Sequence, residues 1–174
     1  MVSNGGSPKS SDYPYSADVF DAAIADPLSF DVAGVVAIIR DLRARFGSGL
    51  PVYLTGFSAG GHLTWLLLFA HPDQLAGAAL ASANFAGRGL HPGLITATPT
   101  RVPVRAFYGA EDERADVLLS QWDDARAEAE QRGCCDLTLV VVPGASHSPF
   151  ARTVIEYFTD LAASRRGSTL NSRG

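Results

Sequence analysis

The apolar positions of the chain fall into short continuous runs that alternate with stretches of helical spacing. Four runs, at residues 52–55, 77–83, 102–108 and 137–142, consist mainly of small, β-branched and aromatic residues. Each run is uninterrupted rather than alternating, which is typical of strands that are buried on both faces of a parallel sheet. Strands that alternate with helices predict an α/β fold, a three-layer sandwich with a mostly parallel sheet.

The first predicted helix covers residues 30–46, with Asp31 as a plausible cap and Gly47 as a stop. Its apolar residues recur every three or four positions and so form one face, as in an amphipathic helix. The predicted face carries Val32, Val35, Val36, Ile39, Leu42 and Phe46.

Three further helices are predicted along the chain. One covers residues 62–70 and another covers residues 116–132, where Gly133 ends it. The last is expected to have Ser148 as its cap and Pro149 as its first residue. It would turn Phe150, Val154, Phe158 and Leu161 toward the core.

The length of 174 residues predicts a single domain. Residues 1–29 are rich in Ser, Gly, Pro, Asp and Ala and are expected to be irregular, with at most a short helix near residues 16–25. Residues 30–163 form the predicted core. Residues 164–174 are polar and are expected to be a disordered tail.

The composition indicates which classes of binding partner to expect. The chain is 47% hydrophobic and 18% charged, with a net charge of −4, which is typical of a globular protein with a packed core. We expect no nucleic-acid partner and no anionic membrane surface, because there is no basic run. No stretch is long and apolar enough to span a bilayer. The start of the chain lacks an apolar leader, so cytoplasm is the default location, and secretion is expected if the N-terminus is truncated.

The two cysteines, Cys134 and Cys135, are adjacent in sequence. Disulfide geometry fits poorly across one peptide bond, and two cysteines alone form no disulfide framework or metal cluster. We interpret them as small residues at a helix-to-strand junction.

The sequence GFSAG at residues 56–60 lies between the first predicted strand and the helix that follows it. In that context it indicates a nucleophile elbow, a sharp turn that exposes a serine above the sheet. Gly56 and Gly60 are expected to be required because a Cβ there would collide with the crossing strand and helix. The Ser58 hydroxyl would stand at a helix N-terminus, where partial positive charge favours an oxyanion.

Two further polar residues follow later predicted strands. Asp112 comes four residues after the strand at 102–108, and His147 comes soon after the strand at 137–142. The carboxyl ends of parallel strands meet at one edge of a sheet, so Ser58, Asp112 and His147 are expected to converge there. A serine needs a base, an imidazole supplies it near neutral pH, and a carboxylate orients the imidazole. Glu111 is the alternative acid.

These residues resemble the α/β-hydrolase superfamily over residues 31–163. The similarity lies in GFSAGGHL at 56–63, HPD at 71–73 with LAG at 75–77, YGAED at 108–112 and VPGASH at 142–147. The chain is also similar to the secreted esterases that include polyhydroxybutyrate depolymerase-like and feruloyl or acetylxylan esterase-like enzymes. GFSAGGHL also occurs in prolyl-oligopeptidase-like and other esterase groups.

The resemblance implies roles for individual residues. Ser58 would be the nucleophile, Asp112 the acid and His147 the base, and the N–H of Ala59 would be one oxyanion donor. No metal or organic cofactor is implied.

The chain departs from that family before residue 31. Family members have further strands there, and a loop after one of them, often containing His-Gly, gives the second oxyanion donor. Neither feature is found, and the pair Gly5–Gly6 after Asn4 is the only candidate substitute. The chain therefore resembles a short or N-terminally truncated hydrolase. The first strand, with Val52, Tyr53 and Leu54, would then be an open edge that invites self-association.

The leading hypothesis is a serine esterase that acts on short- to medium-chain acyl esters through an acyl-enzyme. The alternatives are a serine peptidase or thioesterase on the same scaffold, and a non-catalytic hydrolase fragment without a complete oxyanion hole. His91 is an additional pocket candidate. The predicted substrate-binding residues are Phe57, His62, Phe85, Leu90, Leu94 and Ile95.

Overall fold

The computed structural model describes residues 16, 18, 19, 21, 25, 27–83, 85 and 101–171. In this part of the chain four strands form one sheet: β1 (Tyr53–Phe57), β2 (Gly77–Ala81), β3 (Val102–Gly109) and β4 (Cys135–Val142). They lie side by side in sequence order, and each neighbouring pair is parallel. The predicted α/β fold with a parallel sheet is confirmed.

The helices begin with α1 (Pro27–Phe46) and α2 (Ala59–Ala70), and a 3-10 turn, Pro72–Gln74, follows α2. Three more follow: α3 (Ala115–Ser120), α4 (Trp122–Arg132) and α5 (Ala151–Asn171). Residues 18, 19, 21 and 25 also have a helical backbone, in line with the short helix expected near residues 16–25.

Successive side chains of a strand point to opposite sides of the sheet. Both faces are covered most completely at the central strand β2, all of whose residues are buried. On one face Ala78 and Leu80 of β2 pack with Trp65 of α2 and with residues of α1, α3 and α4. On the other face Ala79 and Ala81 pack against α5. Four helices on one side and α5 on the other give the predicted three layers and explain why the strands are apolar without alternation.

Several predicted boundaries were wrong. The helix α1 begins at Pro27, so Asp31 lies inside it and is buried rather than being its cap. Phe46 was expected on the apolar face, yet its side chain is 70% exposed. The single helix predicted over residues 116–132 is two helices, with Gln121 between them.

The last helix, α5, also differs from its predicted range at both ends. It begins at Ala151, after Phe150, which has a left-handed backbone with φ 45°. Ser148 was expected to be the cap, but its backbone N–H and C=O are hydrogen-bonded to the Ser82 side chain. The helix continues to Asn171, so residues 164–171 are helical where a disordered tail was expected.

The strand β1 pairs with β2, and no second neighbour is present in the ranges that the structure describes. Val52, Tyr53 and Leu54 are half-buried there, and self-association through this edge stays a prediction. Within the same ranges, no helix is long and apolar enough to cross a bilayer.

Candidate active site

Ser58 lies at the junction between β1 and α2, with φ 51° and ψ −121°. Positive φ is uncommon for a residue with a Cβ and is typical of the serine in a nucleophile elbow. The Ser58 N–H donates to the Ala81 carbonyl at 2.9 Å, and its carbonyl accepts from the Gly61 N–H at 2.9 Å. The first bond holds the turn against the end of β2 and the second closes the turn onto α2, so the strained conformation is fixed by its surroundings.

Two glycines make this turn possible. A Cβ on Gly56 would lie 2.3 Å from the Gly60 carbonyl oxygen, and one on Gly61 would lie 2.0 Å from the Ala83 Cβ. Gly60 was also expected to be required, but a Cβ there would meet nothing within 4 Å. The close approach is therefore made at Gly56 and Gly61, where strand, helix and the segment after β2 come together.

The loops after β3 and β4 are joined to each other. The Ala110 N–H donates to the Val142 carbonyl at 2.9 Å, and the Glu111 N–H donates to the Ala145 carbonyl at 2.8 Å. A Cβ on Gly109 would lie 2.1 Å from the Ala145 carbonyl oxygen, so only glycine fits at the end of β3. This close approach is what brings residues 112 and 147, which are 35 positions apart in sequence, to the same place.

Asp112 and His147 form a hydrogen-bonded pair, with 2.8 Å between Asp112 Oδ2 and His147 Nδ1. The Asp112 side chain is fully buried, whereas the His147 side chain is 26% exposed. The second oxygen of Asp112 accepts from the Arg114 N–H at 2.9 Å. The neighbouring Glu111 is exposed, so Asp112 is the carboxylate that meets the imidazole.

Burial of the Asp112 carboxylate raises its pKa, because a charged group loses hydration. The hydrogen bonds from the Arg114 N–H, from His147 and from the Ser82 hydroxyl, with the attraction to His147, lower it further than burial raises it. The pKa of Asp112 consequently lies below its ordinary value of 3.8. The group is a carboxylate at neutral pH and can accept a hydrogen bond from Nδ1–H of His147, the tautomer in which Nε2 keeps its lone pair.

A cavity of about 300 Å³ opens at this edge of the sheet. It is lined by Ser58 from the turn between β1 and α2, by His147 from the loop after β4, and by residues of α3. The residues that line it are Ser58, Ser82, Arg114, Val117, Leu118 and His147. A serine hydroxyl and an imidazole in one small cavity, with the imidazole oriented by a buried carboxylate, can together remove a proton and attack a carbonyl carbon.

Other predicted site residues lie around this centre. Ala59 is the first residue of α2, where backbone N–H groups have no partner inside the helix. The Phe57 ring is 40% exposed, and its centroid lies 5.0 Å from that of the His147 ring. His62 is half-buried in α2 and is absent from the cavity lining.

Of the predicted acyl-binding residues, the structure describes Phe85. It is buried in the hydrophobic core, where it packs edge-on against Trp65 and Phe69. Leu90, Leu94 and Ile95 lie outside the described residues, as do His91 and the pair Gly5–Gly6.

The sequence interpretation missed Ser82 and the cavity-lining residues of α3. Ser82 comes directly after β2, so the rule that selected Asp112 and His147, a polar residue beyond the carboxyl end of a strand, would also have selected it. Val117 and Leu118 carry no comparable signal, because apolar residues in a helix ordinarily indicate core. In the described ranges, no three His, Cys, Asp or Glu residues are grouped as a metal site.

Comparison with solved structures identifies the fold. The chain is similar to SOBER1 of Arabidopsis thaliana, with 23% identity and a TM-score of 0.63 over 79% of this chain and 64% of that one. It is also similar to a carboxylesterase of Bacillus cereus, with 16% identity and a TM-score of 0.59 over 78% and 61%. A phospholipase/carboxylesterase of Dyadobacter fermentans matches at 23% identity and a TM-score of 0.57 over 71% and 57%.

The chain has the α/β-hydrolase fold, as its resemblance to that superfamily predicted. It spans somewhat less than two thirds of the length of these neighbours. No protein-family model matches the sequence, and no curated protein matches it. The likeness to solved structures concerns the fold, so the narrower likeness to depolymerase-like and feruloyl or acetylxylan esterases stays a prediction.

Proposed function

We propose that this chain is a serine hydrolase that cleaves short- to medium-chain carboxylic esters, with Ser58 as nucleophile, His147 as base and Asp112 as acid. One observation carries the proposal. The imidazole that is hydrogen-bonded to a buried carboxylate at 2.8 Å lines the same 300 Å³ cavity as a serine with an elbow backbone.

In the first half of the reaction the Ser58 Oγ attacks the ester carbonyl carbon, and His147 Nε2 takes the hydroxyl proton. The Asp112 carboxylate keeps the Nδ1 proton in place and stabilises the imidazolium that forms. The tetrahedral intermediate then expels the alcohol, which takes its proton from His147. Ser58 is left as an acyl ester.

In the second half a water molecule attacks the acyl-enzyme, and His147 again accepts and returns the proton. The backbone N–H of Ala59, at the start of α2, is one donor to the developing oxyanion. Removing one oxyanion donor from such a site costs about a hundred- to a thousand-fold in kcat. The rate that this chain reaches therefore measures how complete its oxyanion hole is.

The cavity supports small acyl groups. Its volume is at the lower end of the range for ligand pockets, about 300–1,000 Å³. Val117 and Leu118 give it an apolar wall. Two of the solved neighbours carry the names carboxylesterase and phospholipase/carboxylesterase, which favours carboxylic esters over other acyl substrates.

Hydrolysis of p-nitrophenyl esters from acetate to octanoate tests the proposal. The wild-type protein is expected to release p-nitrophenol fastest from acetate or butyrate, and Ser58→Ala is expected to reduce kcat by at least about a thousandfold. His147→Ala is expected to reduce kcat by a similar factor. Turnover by wild type no higher than that by Ser58→Ala would favour a non-catalytic hydrolase fragment.

A second substrate panel separates the alternative activities on the same scaffold. Matched acyl thioesters and aminoacyl anilides are measured beside the esters, under the same conditions. The proposal expects the highest kcat/KM for the oxygen esters. A thioester or anilide that is preferred would assign the chain to the thioesterases or peptidases instead.

A further inference from the structure

The buried side chain of Ser82 joins the end of β2 to the His147 loop. Its Oγ donates to the Ser148 carbonyl at 3.2 Å and accepts from the Ser148 N–H at 3.3 Å. The same hydroxyl is close enough to the Asp112 carboxylate to help lower its pKa. The Ser82 N–H donates to the Phe107 carbonyl of β3 at 2.9 Å, which fixes the residue to the sheet.

These contacts hold the backbone next to His147. The Ser148 N–H belongs to the peptide group that joins His147 to Ser148, and the Ser148 carbonyl belongs to the next one, so the two bonds fix the backbone that directly follows the imidazole-bearing residue. The hydroxyl has one proton and two acceptor sites. It can therefore accept from the Ser148 N–H while its proton is donated to the Ser148 carbonyl.

The backbone at Ser82 supports a role for the hydroxyl itself. Its φ is 43°, in the left-handed region where a Cβ is strained and glycine is not. The side chain is 2% exposed, so solvation does not explain a serine there. A strained, buried serine whose hydroxyl bonds to both backbone groups of Ser148 is better explained by those bonds than by backbone geometry.

We propose that Ser82 is a positioning residue that holds His147 and Asp112 in their hydrogen-bonded arrangement, an inference that rests on the proposed function. It does not exchange a proton with the substrate. Its hydroxyl keeps the loop after β4 at the distance from β2 at which the imidazole reaches both Asp112 and the cavity.

Two substitutions test this inference, with a third as a control. Ser82→Ala removes the hydroxyl and keeps the Cβ, whereas Ser82→Gly removes the hydroxyl and relieves the left-handed strain, so the glycine variant is the one least prone to unfold. Ser146→Ala removes an exposed hydroxyl from the same loop, one residue before His147. All three are compared with wild type in kcat and KM for p-nitrophenyl acetate and in thermal unfolding.

Both Ser82 variants are expected to lower kcat by about tenfold with less than a twofold change in KM, because ground-state binding does not use the pair. Ser146→Ala should stay within twofold of wild type. A kcat within twofold of wild type for Ser82→Gly would overturn the inference. So would a loss of activity that only follows a loss of folded protein in both variants.

A nuclear magnetic resonance measurement separates this inference from the proposed function. The Nδ1 proton of His147, assigned by its absence in His147→Ala, is expected to exchange with water at least about tenfold faster in Ser82→Gly than in wild type. Unchanged exchange overturns the positioning role. If wild type hydrolyses no ester, the proposed function is wrong. The exchange rate of the Nδ1 proton still tests the role of Ser82 in that case.

Discussion

The end of β3 touches the loop after β4 so closely that a Cβ on Gly109 would lie 2.1 Å from the carbonyl oxygen of Ala145. This contact lies between the strand that leads to Asp112 and the loop that carries His147. It accounts for how two groups from separate strands come to share a hydrogen bond, and it makes Gly109 a test of the whole arrangement.

Gly109→Ala is expected to push the two loops apart, because the obstructing atoms are backbone and cannot rotate away. We expect the free energy of unfolding to fall by about 1–3 kcal/mol and kcat to fall by more than the unfolded fraction explains. Urea denaturation and ester turnover measure the two effects. Gly34→Ala is the control, because a Cβ on this helical glycine meets nothing within 4 Å. Equal activity in both variants would contradict this account of the contact.

The turn between β1 and α2 offers a contrast between two adjacent glycines. Gly61→Ala would bring two methyl groups to 2.0 Å at a buried position, so we expect a loss of about 1–3 kcal/mol in unfolding free energy. Gly60→Ala has open space around the added Cβ and lies in α2, so it is expected to be neutral or to stabilise by about 0.5–1 kcal/mol. Thermal unfolding of the two variants would refute this difference if Gly60→Ala were the more damaging one.

Stability at acid pH should depend on Asp112. Its pKa is lower in the folded chain than the ordinary value of 3.8, so its ionised form stabilises the fold above that pH. That contribution is lost as pH falls from about 3.8 through the folded pKa. Between pH 6 and pH 3, wild type should therefore lose more unfolding free energy than Asp112→Asn. Parallel pH curves for the two proteins would show that the carboxylate has no shifted pKa.

The preferred acyl length of the substrate should depend on Val117, which lines the cavity. Val117 is 53% exposed, so a larger side chain there leaves the core intact. Val117→Trp is expected to lower kcat/KM for butyrate and hexanoate esters by about tenfold or more, with a smaller effect on acetate. Leu119→Trp is the matched control, because Leu119 is on the same helix, 37% exposed and absent from the lining. Equal losses for all three esters would exclude this wall as the acyl site.

Much of the fold could be predicted from the sequence because the strands are apolar without alternation, a pattern that parallel sheets produce by burial on both faces. Ser58 was predicted from GFSAG between a strand and a helix, and Asp112 and His147 from the rule that polar residues after parallel strands meet at one edge. The helix interruption at Gln121 could not be predicted, because the apolar spacing from Leu118 to Trp122 continues across it.

Other features depend on contacts between distant segments. Ser148 has the sequence of a helix cap, but its backbone is hydrogen-bonded to Ser82, 66 residues away, and the helix begins later. Phe85 follows β2 and has the character of a pocket residue, yet aromatic packing with Trp65 and Phe69 places it in the core. No local sequence pattern predicts either result, because each depends on distant residues that the fold brings into contact.

Fluorophosphonate labelling followed by peptide mass spectrometry tests most directly whether Ser58 is an activated nucleophile. The folded wild-type protein should carry a single adduct, on the peptide that contains Ser58. Ser58→Ala should carry none, and labelling should be at least about a hundredfold slower in His147→Ala. A folded wild-type protein that takes up no label, or takes it up on another serine, would contradict the account.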